Sequence, residues 1–375
     1  MNILIAGDFA PRHRIAAQID SGDFSCLEQV KPIIQSTDYA IVNFESPVVT
    51  RVANAIDKTG PNLKCDQKAM ECIAQAGFRC VTLANNHFCD YGQIGVEDTI
   101  NACKKYKIDY VGGGKTQSEA EQIFYKNING QTLAVVNCCE HEWSIATVEH
   151  GGSNPLDIVS ICHDIQTAKQ KSDYVLLIVH GGTEGYNLPT PRMKRTYRFF
   201  VEQGADAVVN HHQHCYSGYE VYQGKPIFYG IGNFCFDKPV ARRDKLWEEG
   251  FLVELQLTEE ICFRLFPYMQ CMEDQPKVKL RTDMPEFEDS LQHLNSIIAN
   301  DNDLEERFEK LASRGNETAR QILSPYSSTL MQWLYSKRLL PSFATKKRMK
   351  HFFAHIQCEA HRDILIYGLN KDWKI

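Results

Sequence analysis

The 375-residue sequence predicts a mixed α/β fold with a partly antiparallel sheet and a helical C-terminal extension. Three observations carry this. Short β-branched runs alternate with amphipathic stretches over the first 210 residues, strand pairs joined through glycine-containing turns follow, and strand-type alternation ends near residue 285.

ILIAG (3–7), YAIVNF (39–44) and CVTLA (80–84) are about five residues long and rich in β-branched side chains, as buried strands are. Between them, 26–36 and 67–77 carry apolar positions at helical spacing, and Gly77 offers a C-cap. The pattern continues with a helix at 93–106, strands at 108–112 and 132–137, a helix at 157–171, a strand at 174–179, a helix at 192–203 and a strand at 206–210. Residues 219–234 read as strand, turn, strand, and 251–268 as a second antiparallel pair. Pro276 and Pro285 flank a polar stretch, which places a boundary at 270–285 and predicts domains at 1–275 and 285–375. Residues 303–324 are helical in periodicity. The cluster Lys346, Lys347, Arg348 and Lys350, beside Phe352 and Phe353, reads as a solvated helix face, with an anionic partner or membrane surface as the alternative.

With 43% hydrophobic and 23% charged residues, the composition is that of a globular chain rather than a disordered or fibrous one. A formal net charge of −6 provides no global attraction for nucleic acid, and no such partner is expected. No apolar run is long enough to span a bilayer, and MNILIAGDFA reaches charge too early for a secretory core. A cytoplasmic location is expected. The 14 cysteines fall mostly in apolar runs and include no CxxC pair at zinc-finger spacing, which reads as reduced core thiols.

The strand ends carry the chemistry. Asp8 follows ILIAG, Asn43 and Glu45 close YAIVNFE, Asn85, Asn86 and His87 follow VTLA, His180 follows VLLIV, and His211, His212 and His214 follow AVVN. Each alone is compatible with a turn former, a helix cap or a satisfied core histidine. Together they point to one ligand crevice at the carboxyl ends of the strands, holding a divalent cation by carboxylate, carboxamide and imidazole donors. His212 and His214, two apart, would share one side of an extended segment. Asn86 is expected at the metal, His87 as a general acid beside the substrate, and Asp90 behind its imidazole. Mixed oxygen and nitrogen donors suit Mn, Fe or Zn.

Gly7-Asp8, Asn43-Phe44-Glu45, Ala84-Asn85-Asn86-His87 with Asp90-Tyr91-Gly92, His180-Gly181-Gly182, Asn210-His211-His212-Gln213-His214 and the run from Ile227 to Phe234 occur in one order over about residues 1–257. In that order they resemble the CapA family of capsule and poly-γ-glutamate synthesis proteins, a branch of the calcineurin-like metallophosphoesterase superfamily. The resemblance implies a four-layer αββα sandwich with one or two divalent metals, held by Asp8, Glu45, Asn86, His180, His212 and His214, with Glu45 bridging. It implies substrate contacts from Asn43, Lys64, Asn85, Glu184, His211 and Asn233. The implied activity is metal-dependent hydrolysis of a phosphoester, or of an amide or peptide-like bond, in a small-molecule or polymeric anionic substrate. The alternative is a metal-containing accessory protein without turnover, and the C-terminal helices are a candidate contact with a capsule-biosynthesis complex. Ala10 stands where the superfamily has a histidine, and His13 is the nearby candidate to replace it. Gln213, Asn210 and Gly182 depart from the family pattern at loop positions.

Overall fold

Alternate residues of the first strand, β1 (Asn2–Phe9), enter two different hydrophobic layers, and this sorting sets the architecture. Ile3 and Ile5 pack among Val135, Leu177 and Val209 of a second sheet, whereas Leu4 and Ala6 pack with the helical residues Ile15, Met70, Ile73 and Val96. The computed structural model describes residues 1–239, 244–313, 323–326, 328–357 and 361.

β1, β2 (Tyr39–Phe44), β3 (Cys80–Thr82) and β4 (Asp109–Val111) run parallel, and β13 (Glu249–Gln256), β14 (Cys262–Gln270) and β15 (Val278–Leu280) extend the sheet antiparallel on the other side of β1. The second sheet contains β6 (Phe124–Ile128), β7 (Gln131–Cys139), β9 (Tyr174–His180), β10 (Ala207–His211), β11 (Tyr219–Tyr222) and β12 (Lys225–Phe228), in the order β11-β12-β10-β9-β7-β6. Two short strands, β5 (Gly113–Gly114) and β8 (Gly152–Ser153), pair separately. Helices Lys68–Ala76 and Gly92–Tyr106 cover the outer face of the first sheet, and Ile158–Lys171 and Pro191–Glu202 that of the second. The fold is a four-layer αββα sandwich.

Three of the helix boundaries follow from their caps. Gly77 ends its helix with φ 117°, Asp157 accepts from the Ser160 amide, and Thr190 accepts from the Met193 amide with Pro191 in the first turn. The helix expected over 26–36 is instead a turn at Ser25–Leu27 and a short helix at Lys31–Gln35. Pro32 has no amide hydrogen and would clash with the carbonyl four residues back, so it starts a helix and cannot continue one.

The expected boundary at 270–285 also differs from the contacts. The helix Met284–Ala299 turns Phe287, Leu291, Leu294 and Ile298 into the inter-sheet core, with Phe287 5.6 Å from the Tyr216 ring. One compact unit therefore comprises Met1–Ile56 and Gly60–Leu304, and most of the rest of the chain forms a second. That second unit includes helices Thr329–Ser336 and Lys346–Gln357, with Tyr326 packed on Tyr335 and Phe343. The helix expected within 303–324 is present as Asp301–Ala312, and residues 314–322 lie outside the described residues. Among the described residues every cysteine is free and all but Cys262 are buried. None of the described helices is long and apolar enough to cross a membrane.

Register brings the polar strand ends level. Asp8 pairs with Asn43 across a register shift in β1, while His180 pairs with both Cys139 and His211. The carboxyl ends of the parallel strands in both sheets thus open on one rim.

Candidate metal centre

Glycine at position 7 permits the approach on which the centre is built. A Cβ there would lie 1.9 Å from the Gly232 carbonyl oxygen, so only glycine lets the 229–236 segment run against β1. The Phe234 amide then donates to the Asp8 carbonyl at 2.8 Å, and Asp8 and Asn233 form a bridge. Asp8 is buried, accepts from Asn43 Nδ2 at 2.7 Å and from the His212 amide at 3.2 Å, and is raised to about pKa 7 by burial, which outweighs those two bonds.

Asp8, Glu45 and His214 each present a ligand atom within 4.8 Å of the others. Glu45 is fully buried, neither of its oxygens has a hydrogen-bond partner among the described residues, and Oε1 lies 3.9 Å from Nε2 of both His180 and His214. Burial, and then the charge of Asp8, push its pKa well above the carboxylate range. On its other side, His180 Nε2 lies 3.1 Å from both Asn86 Oδ1 and His212 Nδ1. Glu45 is therefore shared by two groups, one of Asp8 and His214 and one of His180, Asn86 and His212. The six expected ligands come together.

The imidazoles are held in the form a cation needs. Burial, followed by repulsion from His212, lowers His214 to about pKa 3 and drops His180 well below the usual range, so both present neutral rings. His214 Nδ1 is held by Asn233 Oδ1 at 2.9 Å, and its ring packs against both Trp247 and Phe236. The extended H-H-x-H segment expected from the sequence is not what converges these rings. His212 and His214 have φ values of 85° and 56°, a left-handed conformation uncommon for side-chain-bearing residues and concentrated at functional sites. Between them Gln213 Nε2 donates to the carbonyls of Tyr186 and Leu188 and anchors the turn.

These residues fit a divalent cation: an orphaned buried carboxylate is costly alone, and a cation bound by Asp8, Glu45 and neutral imidazoles removes the cost. Beside them, His87 Nδ1 and Asp90 Oδ2 are 2.6 Å apart, and the same carboxylate oxygen accepts from the Leu63 amide.

The expected substrate contacts divide differently. Asn43 holds Asp8 and receives Thr82 Oγ1, Asn85 bonds the Phe44 carbonyl and the His87 amide, and Asn233 holds His214. His211 Nε2 bonds the Ala6 carbonyl at 3.1 Å across the two sheets, and its Nδ1 has no hydrogen-bond partner among the described residues. All four are buried, and the bonds named hold Asp8, His87 and His214 and link β1 to β10. Lys64 is exposed over the Tyr91 ring, and Glu184 is exposed yet near enough to Glu45 to raise its pKa. His13 opens the helix His13–Asp20 at the exposed surface and does not join the buried cluster.

Two residues were not expected. Glu142, its side chain 37% exposed, accepts from Asn86 Nδ2 at 3.0 Å and lies 3.4 Å from His212 Nε2. It follows β7, which runs to Cys139, two residues past the strand end expected at 137. Arg12 is half-buried and has no ion-pair partner within 4.0 Å among the described residues; burial lowers its pKa while the nearby Asp90 raises it. It follows the Asp8 strand end by four residues.

Residues 2–238 match the family described as bacterial capsule synthesis protein PGA_cap. The capsule biosynthesis protein CapA of Bacillus anthracis is 35% identical over 224 residues, covering 58% of this chain and 54% of that protein. The PGA biosynthesis protein CapA of Bacillus subtilis is 33% identical over 224 residues, covering 59% of each. This chain thus spans just over half the length of these relatives. Among solved structures, a putative 5'-nucleotidase from Staphylococcus aureus aligns with a TM-score of 0.45 at 11% identity, over 80% of this chain and 58% of that one. The motifs that build the centre lie inside the matched span, and the chain belongs to the PGA_cap family of bacterial capsule synthesis proteins.

Proposed function

We propose that this protein is a metal-dependent hydrolase of an anionic substrate, with a phosphoester as the scissile bond. The observation that carries the reading is Glu45, a buried carboxylate without a hydrogen bond among the described residues, shared between Asp8 with His214 and His180 with Asn86 and His212. These six residues would hold one or two ions, with Mn, Fe or Zn suited to the donors. When bound, a divalent cation supplies charge stabilisation at the oxygen attached to the reacting centre and lowers the pKa of water.

The chain's own residues do the rest. Asp90 accepts from His87 Nδ1, which fixes the ring and leaves Nε2 as the atom that carries a proton to the departing oxygen. Arg12, a half-buried cation without an ion pair among the described residues, meets the substrate's anionic group, with Lys64 over the Tyr91 ring as the exposed second cation. Glu142 orients Asn86 from the partly exposed side. The relatives' names make a capsule polymer such as poly-γ-glutamate, or its precursor, the natural substrate class, and an amide bond the second target.

An accessory role without turnover is the second reading, favoured by Ala10 at a position where the superfamily carries a ligand. Incubation with Mn²⁺ and aryl phosphate mono- and diesters, alongside a γ-glutamyl peptide, separates the two. Turnover lost in His87→Ala supports the hydrolase, and metal binding without turnover of any of these substrates supports the accessory role.

A further inference from the structure

The helix Lys346–Gln357 has two chemistries that the proposed hydrolase does not use. Met349, Phe352, Phe353 and Ile356 recur at helical spacing and form one stripe. Met349 and Phe352 are partly buried, while Phe353 is 56% exposed and Ile356 43%. In a chain of formal net charge −6, residues 346–350 contain Lys346, Lys347, Arg348 and Lys350, and the helix contains no acidic residue. All four cations are exposed, and none pairs with a carboxylate among the described residues. An open cleft of about 1070 Å³ in the same unit is lined by Phe343 and Phe352 together with Lys347, Arg348 and Lys350.

Charge and exposed apolar surface on one helix define the occupant. A soluble polyanion would satisfy the cations and leave Phe353 and Ile356 in water, whereas an anionic bilayer surface takes both at once. We propose that the Lys346–Gln357 helix is a peripheral membrane contact, lying along anionic phospholipid with the Phe353 and Ile356 side chains entering the acyl boundary and the four cations among the headgroups. The inference stands independently of the hydrolase reading, because no residue of the metal centre takes part.

Co-sedimentation of the full chain with vesicles tests it. The protein is expected to sediment with phosphatidylglycerol-containing vesicles and to remain in solution with pure phosphatidylcholine. Lys347→Glu with Arg348→Glu is expected to weaken binding by more than tenfold, since each cation near the surface contributes roughly fivefold. Phe353→Ser with Ile356→Ser is expected to weaken it several-fold at unchanged thermal unfolding temperature. Failure to bind phosphatidylglycerol vesicles would overturn the proposal. So would binding that falls in the charge variant but not in the apolar one and that soluble poly-glutamate abolishes, since charge alone would then be recognised.

Discussion

Glu45 Oε1 lies 3.9 Å from His180 Nε2 and 3.9 Å from His214 Nε2, and no hydrogen bond from the described residues satisfies either oxygen of this buried carboxylate. A residue placed this way destabilises the metal-free protein and is stabilising only with a cation. Glu45→Gln is therefore expected to leave the metal-free protein at least as stable as the parent. Manganese at a hundred times its Kd should stabilise the parent by about 2.7 kcal/mol, and this gain should largely disappear in the variant. Thermal unfolding with and without Mn²⁺ checks both.

His87 is held by Asp90 through the 2.6 Å contact at Nδ1. His87→Ala should lower kcat by roughly 10²–10⁴ with metal content unchanged, because the residue is assigned to proton transfer and not to the cation. Asp90→Asn should lower kcat less and also reduce stability by about 1–3 kcal/mol, since the carboxylate receives the buried Leu63 amide as well. Steady-state kinetics paired with elemental analysis distinguishes the two variants.

Arg12 stands near Asp90 without an ion pair among the described residues. Arg12→Ala is expected to raise KM for an anionic substrate by roughly 10- to 100-fold, the range for a hydrogen bond to a charged group, and Arg12→Lys by less. A neutral substrate of the same shape should show little dependence on either change.

Gly7→Ala tests the backbone approach beneath the centre. A methyl 1.9 Å from the Gly232 carbonyl oxygen forces the two segments apart, with an expected loss of about 1–3 kcal/mol on thermal unfolding and weaker metal binding through the displaced Asp8.

The parallel strands and the residues at their ends were legible in the sequence because buried strands are short, β-branched and abruptly terminated. Asp8, Glu45, Asn86, His180, His212 and His214 are each marked by a polar side chain closing an apolar run, and the fold needs only register to gather them. What periodicity does not encode is orientation. Asn43, Asn85, His211 and Asn233 carry the same kinds of donor as the residues around Glu45, and only the three-dimensional structure shows that they bond to Asp8, the Phe44 and Ala6 carbonyls and His214. The left-handed turn at His212 and His214 is likewise invisible, since neither residue is a glycine. The helix Met284–Ala299 reads as part of a separate tail because its apolar stripe does not identify which core it enters; Phe287 against Phe251 shows that it completes the first unit. Glu142 lies three residues beyond the end of β7 at Cys139, as a polar side chain that follows an apolar run.

The central claim is that Asp8, Glu45 and the neutral imidazoles form a cation site, and calorimetric titration of the metal-stripped protein with Mn²⁺ tests it most directly. Saturable binding of one or two ions per chain, weakened at least tenfold in His214→Ala, is the predicted result. No binding of Mn²⁺, and none on repeating the titration with Fe²⁺ or Zn²⁺, would contradict it.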